Sequence, residues 1–205
     1  MINIISIDPG RHTGIVCGQW SGCLGDDLKV VDYADIDLDG SVSSKIDKVC
    51  GVLRKVEVYC DFGIIERPFA HRDAKGQVNV NAYTTQVENL TCIKAAFESV
   101  FSNLDHPELL EVWPSTWQSA ILQAAKGETG ERSIELCRLH TGLKVNDHIA
   151  DAYNIGLWAV ACAKIKQSVQ LHRGLDLDVP ARTAAQAYLA VRMALMIGSK
   201  VGDLW

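Results

Sequence analysis

Two short apolar segments of this chain each end in a carboxylate, and this feature restricts the fold more than any other. Ile2 to Asp8 has the sequence INIISID, and Tyr59 to Glu66 has the sequence YCDFGIIE. Both are short and rich in β-branched or aromatic residues, which indicates buried strands. A helical pattern over Ser43 to Val56 separates them, so strand, helix and strand predict a right-handed crossover with parallel pairing. Parallel neighbours end at the same edge of a sheet, which would bring Asp8 and Glu66 together.

The rest of the chain predicts an α/β fold with a mixed sheet and helices on its faces. Further strands are predicted over Thr13 to Trp20, Leu28 to Ala34 and Leu109 to Trp113, and helices over Asn81 or Tyr83 to Leu104, Ser115 to Gln123, Glu131 to His140 and Asn146 to Gln167. The short gaps between the first three strands favour an antiparallel meander. Ser43 or Ser44 is expected to cap the first helix, and the Asn146-Asp147 pair the last of these helices.

A length of 205 residues predicts one domain with an appendage. We place the domain at 1–168 and a C-terminal helical extension at 169–205, because a charged segment from His172 to Pro180 precedes an Ala-rich helix over Thr183 to Ile197. Hydrophobic residues make up 48% and charged residues 22%, which excludes disorder, collagen and coiled coil as the main state. The net charge of −5 excludes a protein that holds nucleic acid through an overall positive charge.

Cysteine usage and hydropathy predict a cytoplasmic protein. The seven cysteines include no C-x-x-C pair, so we interpret them as reduced core residues. Met1 leads directly into a strand pattern, so no signal peptide is expected. The apolar runs 149–163 and 188–197 contain charged residues and are shorter than the roughly 20 apolar residues of a membrane span. We therefore expect no contact with a membrane.

A third carboxylate, Asp151, lies in the first turns of an otherwise apolar helix. His148 precedes it by three residues and Asp147 by four, so both are within reach of its helical face. If this helix packs across the sheet edge, Asp8, Glu66 and Asp151 form an anionic cluster that is stable only with a bound cation. Carboxylate oxygens with one imidazole suit Mg²⁺ or Mn²⁺. Two such ions about 4 Å apart can hydrolyse a phosphodiester.

Each of these residues also has an ordinary structural interpretation. Asp8 before a Pro-Gly pair is a common turn former. Glu66 beside Arg67 can form a surface ion pair of little energetic value. Asp147 is itself an expected N-cap, and a single histidine such as His148 is more often solvated or hydrogen-bonded in the core. The hypothesis of a metal site therefore depends on the combination of residues.

The residues that carry this hypothesis lie in three stretches: IISIDPGRHTGIV, the strand end IIERPF and the helix NDHIADAYNIGLWA. In order and spacing, from residue 1 to about 163, these stretches resemble the RuvC family of Holliday junction resolvases, which belong to the RNase H-like nucleases. The resemblance implies an RNase H-like five-stranded mixed sheet, with three antiparallel strands plus two parallel ones. It implies that the catalytic residues Asp8, Glu66, His148 and Asp151 hold two Mg²⁺ ions, for which Mn²⁺ substitutes, with Asp147 as an additional candidate ligand.

The resemblance also implies a partner and a reaction. Members of the family are homodimers that cut opposed strands of a four-way DNA junction and leave 5′-phosphate and 3′-hydroxyl ends. Phe69, three residues after Glu66, has the spacing of the family's aromatic residue near the branch point, where it would stack on unpaired bases; plain packing is the alternative. The basic residues that as a set are candidates to contact phosphate are Arg11, Arg67, Arg72, Lys75, Lys126 and Arg132.

Three other functions are compatible with parts of the sequence. One is a broader endonuclease of the same fold that cuts forks and flaps, since Glu128 and Glu131 make the loop near Lys126 less basic than in the family. Another is an actin-like ATPase or sugar kinase, because Asp8-Pro9-Gly10 with Gly14 is similar to the first phosphate loop of those proteins. They need a longer chain and a second Gly-rich loop, which the sequence lacks. The third is an inactive binding module, against which the intact acidic set argues.

Overall fold

The computed structural model of the protein describes residues 1–56, 60–70, 76–102, 108–122 and 128–172. The strands in these ranges are β1 (Ile2–Pro9), β2 (His12–Trp20), β3 (Lys29–Asp37), β4 (Phe62–Glu66) and β5 (Leu109–Val112). The helices are α1 (Val42–Val56), α2 (Val80–Phe101), α3 (Pro114–Ile121), α4 (Thr129–Thr141) and α5 (Asp147–His172). This is the order of elements that the sequence predicts, although β3 ends at Asp37 rather than at Ala34.

The strands form a mixed sheet in the order β3-β2-β1-β4-β5. β1 pairs with β2 and β2 with β3 in antiparallel fashion, which is the predicted meander. β1 pairs with β4 and β4 with β5 in parallel. The prediction of three antiparallel strands plus two parallel ones is therefore confirmed. β1 lies at the centre of the sheet, so its C-terminal end has neighbouring strands on both sides.

Alternate residues of β1 pack into two different cores, one on each face of the sheet. Ile5 and Ile7 belong to the core that α1 and α2 cover, together with Val49 of α1. Ile4 belongs to the core that α3, α4 and α5 cover, together with Tyr153 of α5. The end of β1 therefore lies between two helical layers, and side chains from either layer can contact it.

One helix cap differs from the sequence prediction, and another falls on one residue of the predicted pair. Ser41, rather than Ser43 or Ser44, caps α1, because its Oγ accepts a hydrogen bond from the Ser44 backbone N at 3.3 Å. Asn146, rather than Asp147, caps α5, because its Oδ1 accepts from the backbone N three residues later at 3.0 Å. Asp147 is instead the first helical residue, where a carboxylate is favoured by the helix dipole. Several residues that can cap a helix stand next to one another before α1 and before α5. The sequence alone therefore does not decide which of them is the cap.

All seven cysteines lie in described ranges and are free thiols. Cys17, Cys50, Cys92 and Cys137 are buried, Cys60 and Cys162 are half-buried, and Cys23 is exposed. The interpretation as core residues is therefore wrong for Cys23. It lies in the connection between β2 and β3, where its carbonyl oxygen accepts a hydrogen bond from Trp20 Nε1 at 3.1 Å.

The predicted extension lies mostly outside the described residues. α5 continues past residue 168 to His172, and the linker and Ala-rich helix predicted beyond it are not among the described ranges. The boundary between 1–168 and 169–205 therefore stays a prediction. None of the helices within the described ranges combines the length and the apolar character that a membrane crossing needs.

Candidate active site

Asp8 and Glu66 lie side by side at one edge of the sheet. β1 and β4 pair in parallel with Ile7 opposite Ile65, and each carboxylate is the next residue of its strand. Alternate residues of a strand face the same side of the sheet. Asp8 is therefore on the same face as Ile4, and Glu66 on the same face as Ile64, which both pack against α3, α4 and α5. The structure therefore places the two carboxylates next to each other on one face, as parallel pairing predicts.

A glycine in β2 lets the first turn of α5 approach this edge closely. Gly14 pairs with Asp8 between β2 and β1. A Cβ atom at Gly14 would lie 2.0 Å from the backbone oxygen of His148 and 2.9 Å from the backbone nitrogen of Ile149. No side chain fits between the strand and the helix, so glycine is needed here for the close approach of two backbones. This packing brings His148 and Asp151 of α5 to the carboxylates of the sheet.

His148 contacts Asp8 directly. Its Nδ1 lies 3.3 Å from Asp8 Oδ2, and its ring stacks on His12 with the centroids 5.6 Å apart. Burial raises the pKa of Asp8, and the hydrogen bond to His148 partly offsets that rise. The same hydrogen bond raises the pKa of His148, so the protonated imidazole and the carboxylate stabilise each other. Asp147 lies at the exposed rim, with its Oδ1 3.7 Å from His148 Nε2.

Glu66 accepts a hydrogen bond from a buried indole. Trp117 of α3 is fully buried, and its Nε1 donates to Glu66 Oε2 at 2.5 Å. Burial and the neighbouring Asp8 raise the pKa of Glu66 to about 8, and the indole opposes this rise. A buried tryptophan needs an acceptor for its N–H group. Here the acceptor is the carboxylate, so α3 fixes the orientation of Glu66.

Asp151 lies beside a buried polar pair on α4 and α5. Burial together with Asp8 raises the pKa of Asp151 to about 7, and the neighbouring Ser133 hydroxyl opposes this rise. Asn154 Nδ2 in turn donates to Ser133 Oγ at 2.6 Å and to Ser133 O at 3.1 Å. Within the described part of the chain, Asp151 Oδ1 is buried without a hydrogen-bond partner. A buried unpaired carboxylate oxygen is costly, so this atom is suited to a ligand that brings positive charge.

The donor set of this site fits a hard divalent cation. Asp8 raises the pKa of Glu66 and of Asp151, and Asp151 adds to the rise at Glu66, as expected of like charges that crowd together. Three carboxylates with one imidazole are ligands that Mg²⁺ and Mn²⁺ accept. Among the residues described, no three such side chains already surround one point. Asp8 and Glu66 are hydrogen-bonded to His148 of α5 and Trp117 of α3 instead, so a cation would have to exchange with some of these contacts.

Two arginines predicted to contact DNA form ion pairs with the protein. Arg11 Nη2 lies 2.6 Å from Asp39 Oδ2. Arg67 Nε lies 2.7 Å from Glu111 Oε2, and its guanidinium stacks over Trp113 at 4.7 Å. Arg67 thus pairs across to β5 and not with its sequence neighbour on β4, because consecutive strand residues face opposite sides of the sheet. The alternative of an ion pair between the two neighbours at the end of β4 is wrong.

Of the other residues predicted to bind DNA, Arg132 and Phe69 lie in the described part of the chain. Arg132 is half-buried, and it donates from Nη1 to Leu122 O at 3.3 Å and from Nη2 to Thr129 Oγ1 at 3.2 Å. Phe69 is 50% exposed and follows the end of β4. Arg72, Lys75 and Lys126 lie outside the described residues. The roles of all these side chains in DNA binding stay predictions.

Three buried residues around Glu66 and Asp151 are absent from the sequence predictions. Trp117, Ser133 and Asn154 are all fully buried. A serine and an asparagine on otherwise apolar helical faces are a usable signal, because buried polar groups need partners. That signal indicates a polar site, but it does not say which carboxylate each residue serves.

The protein is similar to known proteins in its structure and not in its sequence. No protein-family model and no curated protein matches the chain. Thermus thermophilus RuvC in complex with a Holliday junction substrate is similar at 18% identity and a TM-score of 0.60, covering 81% of this chain and 97% of that one. Another Thermus thermophilus RuvC structure is similar at 18% identity and the same TM-score of 0.60, covering 80% and 97%. The yeast mitochondrial Holliday junction resolvase Ydc2 is similar at 14% identity and a TM-score of 0.50, covering 96% and 84%.

These similarities establish the fold. The five-stranded mixed sheet with its flanking helices is the RNase H-like fold of RuvC. The resemblance drawn from three short sequence stretches is therefore confirmed for the architecture, over about four-fifths of the chain. At 14–18% identity the similarity does not extend to activity, which must be argued from the site itself.

Proposed function

We propose that this protein is a metal-dependent endonuclease that resolves four-way DNA junctions. The observation that carries the proposal is the gathering of Asp8, Glu66 and Asp151, from β1, β4 and α5, at one edge of the sheet. The fold supports it, because the similar structures include a RuvC solved with a Holliday junction substrate and a mitochondrial Holliday junction resolvase.

The carboxylates and His148 would hold two Mg²⁺ ions, with Mn²⁺ as a substitute. When bound, the ions supply an activated water and stabilise negative charge on the leaving 3′ oxygen. Asp8 would be the central ligand, since it borders Glu66 along the sheet and His148 on α5. Asp151 Oδ1 has no competing hydrogen bond in the described structure. Asp147, at the exposed rim, is an additional candidate ligand.

The helices around the site keep these carboxylates oriented. Trp117 of α3 holds Glu66 through a hydrogen bond, and Ser133 of α4 lies beside Asp151, where it favours the ionised carboxylate. Partners of this kind fix the direction of ligand oxygens, and their removal typically lowers metal affinity or activity about 10–100-fold. The proposed chemistry therefore depends on residues that touch neither the DNA nor the ions.

We assign DNA contact to the edge where the site opens. Phe69 is half-exposed three residues beyond Glu66, a position suited to stacking on an unpaired base. The residues assigned to phosphate contact are Arg11, Arg67, Arg72, Lys75, Lys126 and Arg132. Because the net charge is −5, binding must depend on this local group and must weaken steeply with salt.

A homodimer would present two such sites to the opposed strands of a junction. Helix α2 supports this part of the proposal, because Val80, Tyr83 and Val87 are exposed apolar residues at helical spacing. A row of exposed apolar side chains along one helix is typical of an association surface. Light scattering coupled to gel filtration measures the stoichiometry directly.

The deciding experiment incubates the purified protein with a synthetic four-way junction in Mg²⁺ or in EDTA. We expect paired nicks on opposed strands, with 5′-phosphate ends, in Mg²⁺ alone. A junction that stays intact in Mg²⁺ and in Mn²⁺ contradicts the proposal. Single nicks that are not paired within one complex contradict the symmetric dimer and leave the nuclease assignment standing.

A broader branched-DNA endonuclease is the second candidate. Glu128 and Glu131 are exposed at the start of α4, which makes that part of the DNA-facing surface acidic. Acidic groups there would weaken the contacts that distinguish a four-way junction from simpler branches. Equal cleavage rates on junctions, replication forks and flaps would favour this candidate, and a strong preference for junctions would exclude it.

A further inference from the structure

A buried polar network crosses the helical layer formed by α1 and α2. Lys45 of α1 is 6% exposed, the lowest exposure of any charged residue in the described ranges. Its Nζ donates to Glu88 Oε1 at 2.6 Å and to Asn89 Oδ1 at 2.9 Å. A buried charge of this kind is weak evidence for a role in stability, because an apolar pair of similar volume is often at least as stable.

Asn89 extends the network to the turn that follows Asp8. Its side chain is fully buried, and its Nδ2 donates to Gly10 O at 3.0 Å. Thr13 Oγ1 donates to the same oxygen at 2.9 Å. Gly10 N donates to Asp8 O at 3.1 Å. The turn is therefore fixed by hydrogen bonds at both of its peptide groups.

The turn is tight, and it adjoins the site at both ends. A Cβ atom at Gly10 would lie 2.6 Å from His12 O, so the backbone here has little room to adjust. Asp8 precedes the turn, and His12, which stacks on His148, follows it. A shift of the Gly10 peptide would therefore move both a candidate ligand and the ring that packs against its histidine partner.

We infer that Lys45 and Asn89 are positioning residues for Asp8. The inference rests on the proposed function, because it assigns them to that same site. An ammonium group binds only an acceptor, so Lys45 sets the direction of the Asn89 amide and turns its N–H₂ group toward Gly10. Asn89 then holds the carbonyl of Gly10, in the turn that follows Asp8. His148 holds the Asp8 carboxylate from α5, while Asn89 holds this turn from α2.

Three variants separate this role from a contribution to stability. Asn89→Asp keeps the side-chain shape and an acceptor for Lys45 but removes the donor to Gly10. Lys45→Met combined with Asn89→Leu removes the network together with its buried charge. Glu88→Gln is the matched control, because it keeps an oxygen for Lys45 and leaves the hydrogen bond from Asn89 in place.

Each variant is measured for the single-turnover cleavage rate of a four-way junction, for junction affinity in EDTA, for Mn²⁺ affinity without DNA by calorimetry, and for melting temperature. We expect Asn89→Asp to lower the cleavage rate and the Mn²⁺ affinity about 10–100-fold, with junction affinity unchanged. The double variant should show the same losses while its melting temperature equals or exceeds that of the parent. Glu88→Gln should match the parent in cleavage, junction affinity and Mn²⁺ affinity, while its melting temperature falls, because the buried Lys45 charge loses its counter-ion.

Parental cleavage and parental Mn²⁺ affinity in the first two variants overturn the inference. So do losses that follow the melting temperature across the series, since they show a structural role alone. If the parent cuts no branched DNA, the proposed function fails, and the Mn²⁺ affinities decide the positioning role by themselves. If the parent also binds no Mn²⁺, both are overturned.

Discussion

At the scale of single residues, the buried carboxylates of the site differ in how they are held. The pairs are Asp8 with His148, Glu66 with Trp117, and Asp151 with Ser133. Burial raises the pKa of all three carboxylates, and these partners offset only part of the rise. The ionised site is therefore short of positive charge, and the consequence of each substitution depends on whether it removes a ligand or a partner.

Replacing Asp8 tests the ligand assignment. We expect Asp8→Asn to abolish cleavage of a four-way junction while junction binding stays measurable by gel shift. The change loses the ion pair with His148 but relieves the repulsion with Glu66 and Asp151, so the melting temperature should change little and the loss cannot be ascribed to unfolding. Asp47→Asn on the exposed side of α1 is the matched control for net charge. Cleavage by Asp8→Asn at the parental rate would show that the ligand assignment is wrong.

Replacing Trp117 tests the partner assignment. Trp117→Phe keeps most of the buried ring but removes the donor to Glu66, so we expect cleavage to fall about 10–100-fold and stability by about 1–3 kcal/mol. Trp20→Phe is the control, because Trp20 is equally buried and donates a hydrogen bond to Cys23 O. Trp20 lies at the end of β2 that is far from Asp8. A comparable loss of stability with unchanged cleavage is expected there. Equal activity of both variants in the junction assay would contradict the role of the indole.

At the scale of elements, the contact between β2 and α5 positions half of the site. Gly14 leaves no space for a side chain under the first turn of α5, and the helix brings both His148 and Asp151. Asn146 Nδ2 also donates to Asp35 Oδ2 of β3 at 2.7 Å, which anchors the same turn from the side. The position of α5 on the sheet therefore depends on one glycine and one cap.

Gly14→Ala should displace the start of α5. The added Cβ would meet backbone atoms, which cannot rotate away, so we expect a loss near the upper end of the roughly 1–3 kcal/mol that overpacking costs, with cleavage abolished. Gly51→Ala is the control, since a Cβ there meets nothing within 4 Å. In the middle of α1 it should raise stability by about 0.4–1 kcal/mol. Chemical denaturation measures both, and equal stabilities would refute the close approach.

The elements could be predicted from the sequence more fully than the contacts between them. The apolar patterns of β1 and β4 are local, and they were enough to place Asp8 beside Glu66. The hydrogen bond from Trp117 to Glu66 joins residues 51 positions apart, and the one from Asn89 to Gly10 joins residues 79 apart. No periodicity within one segment encodes such pairs. These pairs depend on where the helices pack on the sheet, and the pattern of a single segment does not contain that information.

At the scale of the whole molecule, the buried acids make stability depend on pH in one direction. Glu66 and Asp151 have pKa values of about 8 and about 7, above the 4.5 and 3.8 of exposed groups. Between these limits the folded state binds protons that the unfolded state has released, so stability falls as the pH rises. The raised pKa of His148 acts in the same direction, because its contribution is complete at low pH and is lost as the pH rises through its folded value.

Thermal unfolding of the metal-free protein should therefore show a melting temperature that decreases from pH 5.5 to pH 8.5. Mg²⁺ binds the ionised carboxylates, so the rise in melting temperature that it causes should be larger at pH 8.5 than at pH 5.5. Glu66→Gln cannot ionise at that position, so it should flatten the pH dependence in EDTA and reduce the effect of Mg²⁺. Glu135→Gln is the control, because Glu135 is exposed on α4, pairs with Arg138 and has a lowered pKa, which moves its titration to acidic pH. A melting temperature in EDTA that rises toward pH 8.5 would mean that the carboxylates are not crowded in the folded protein.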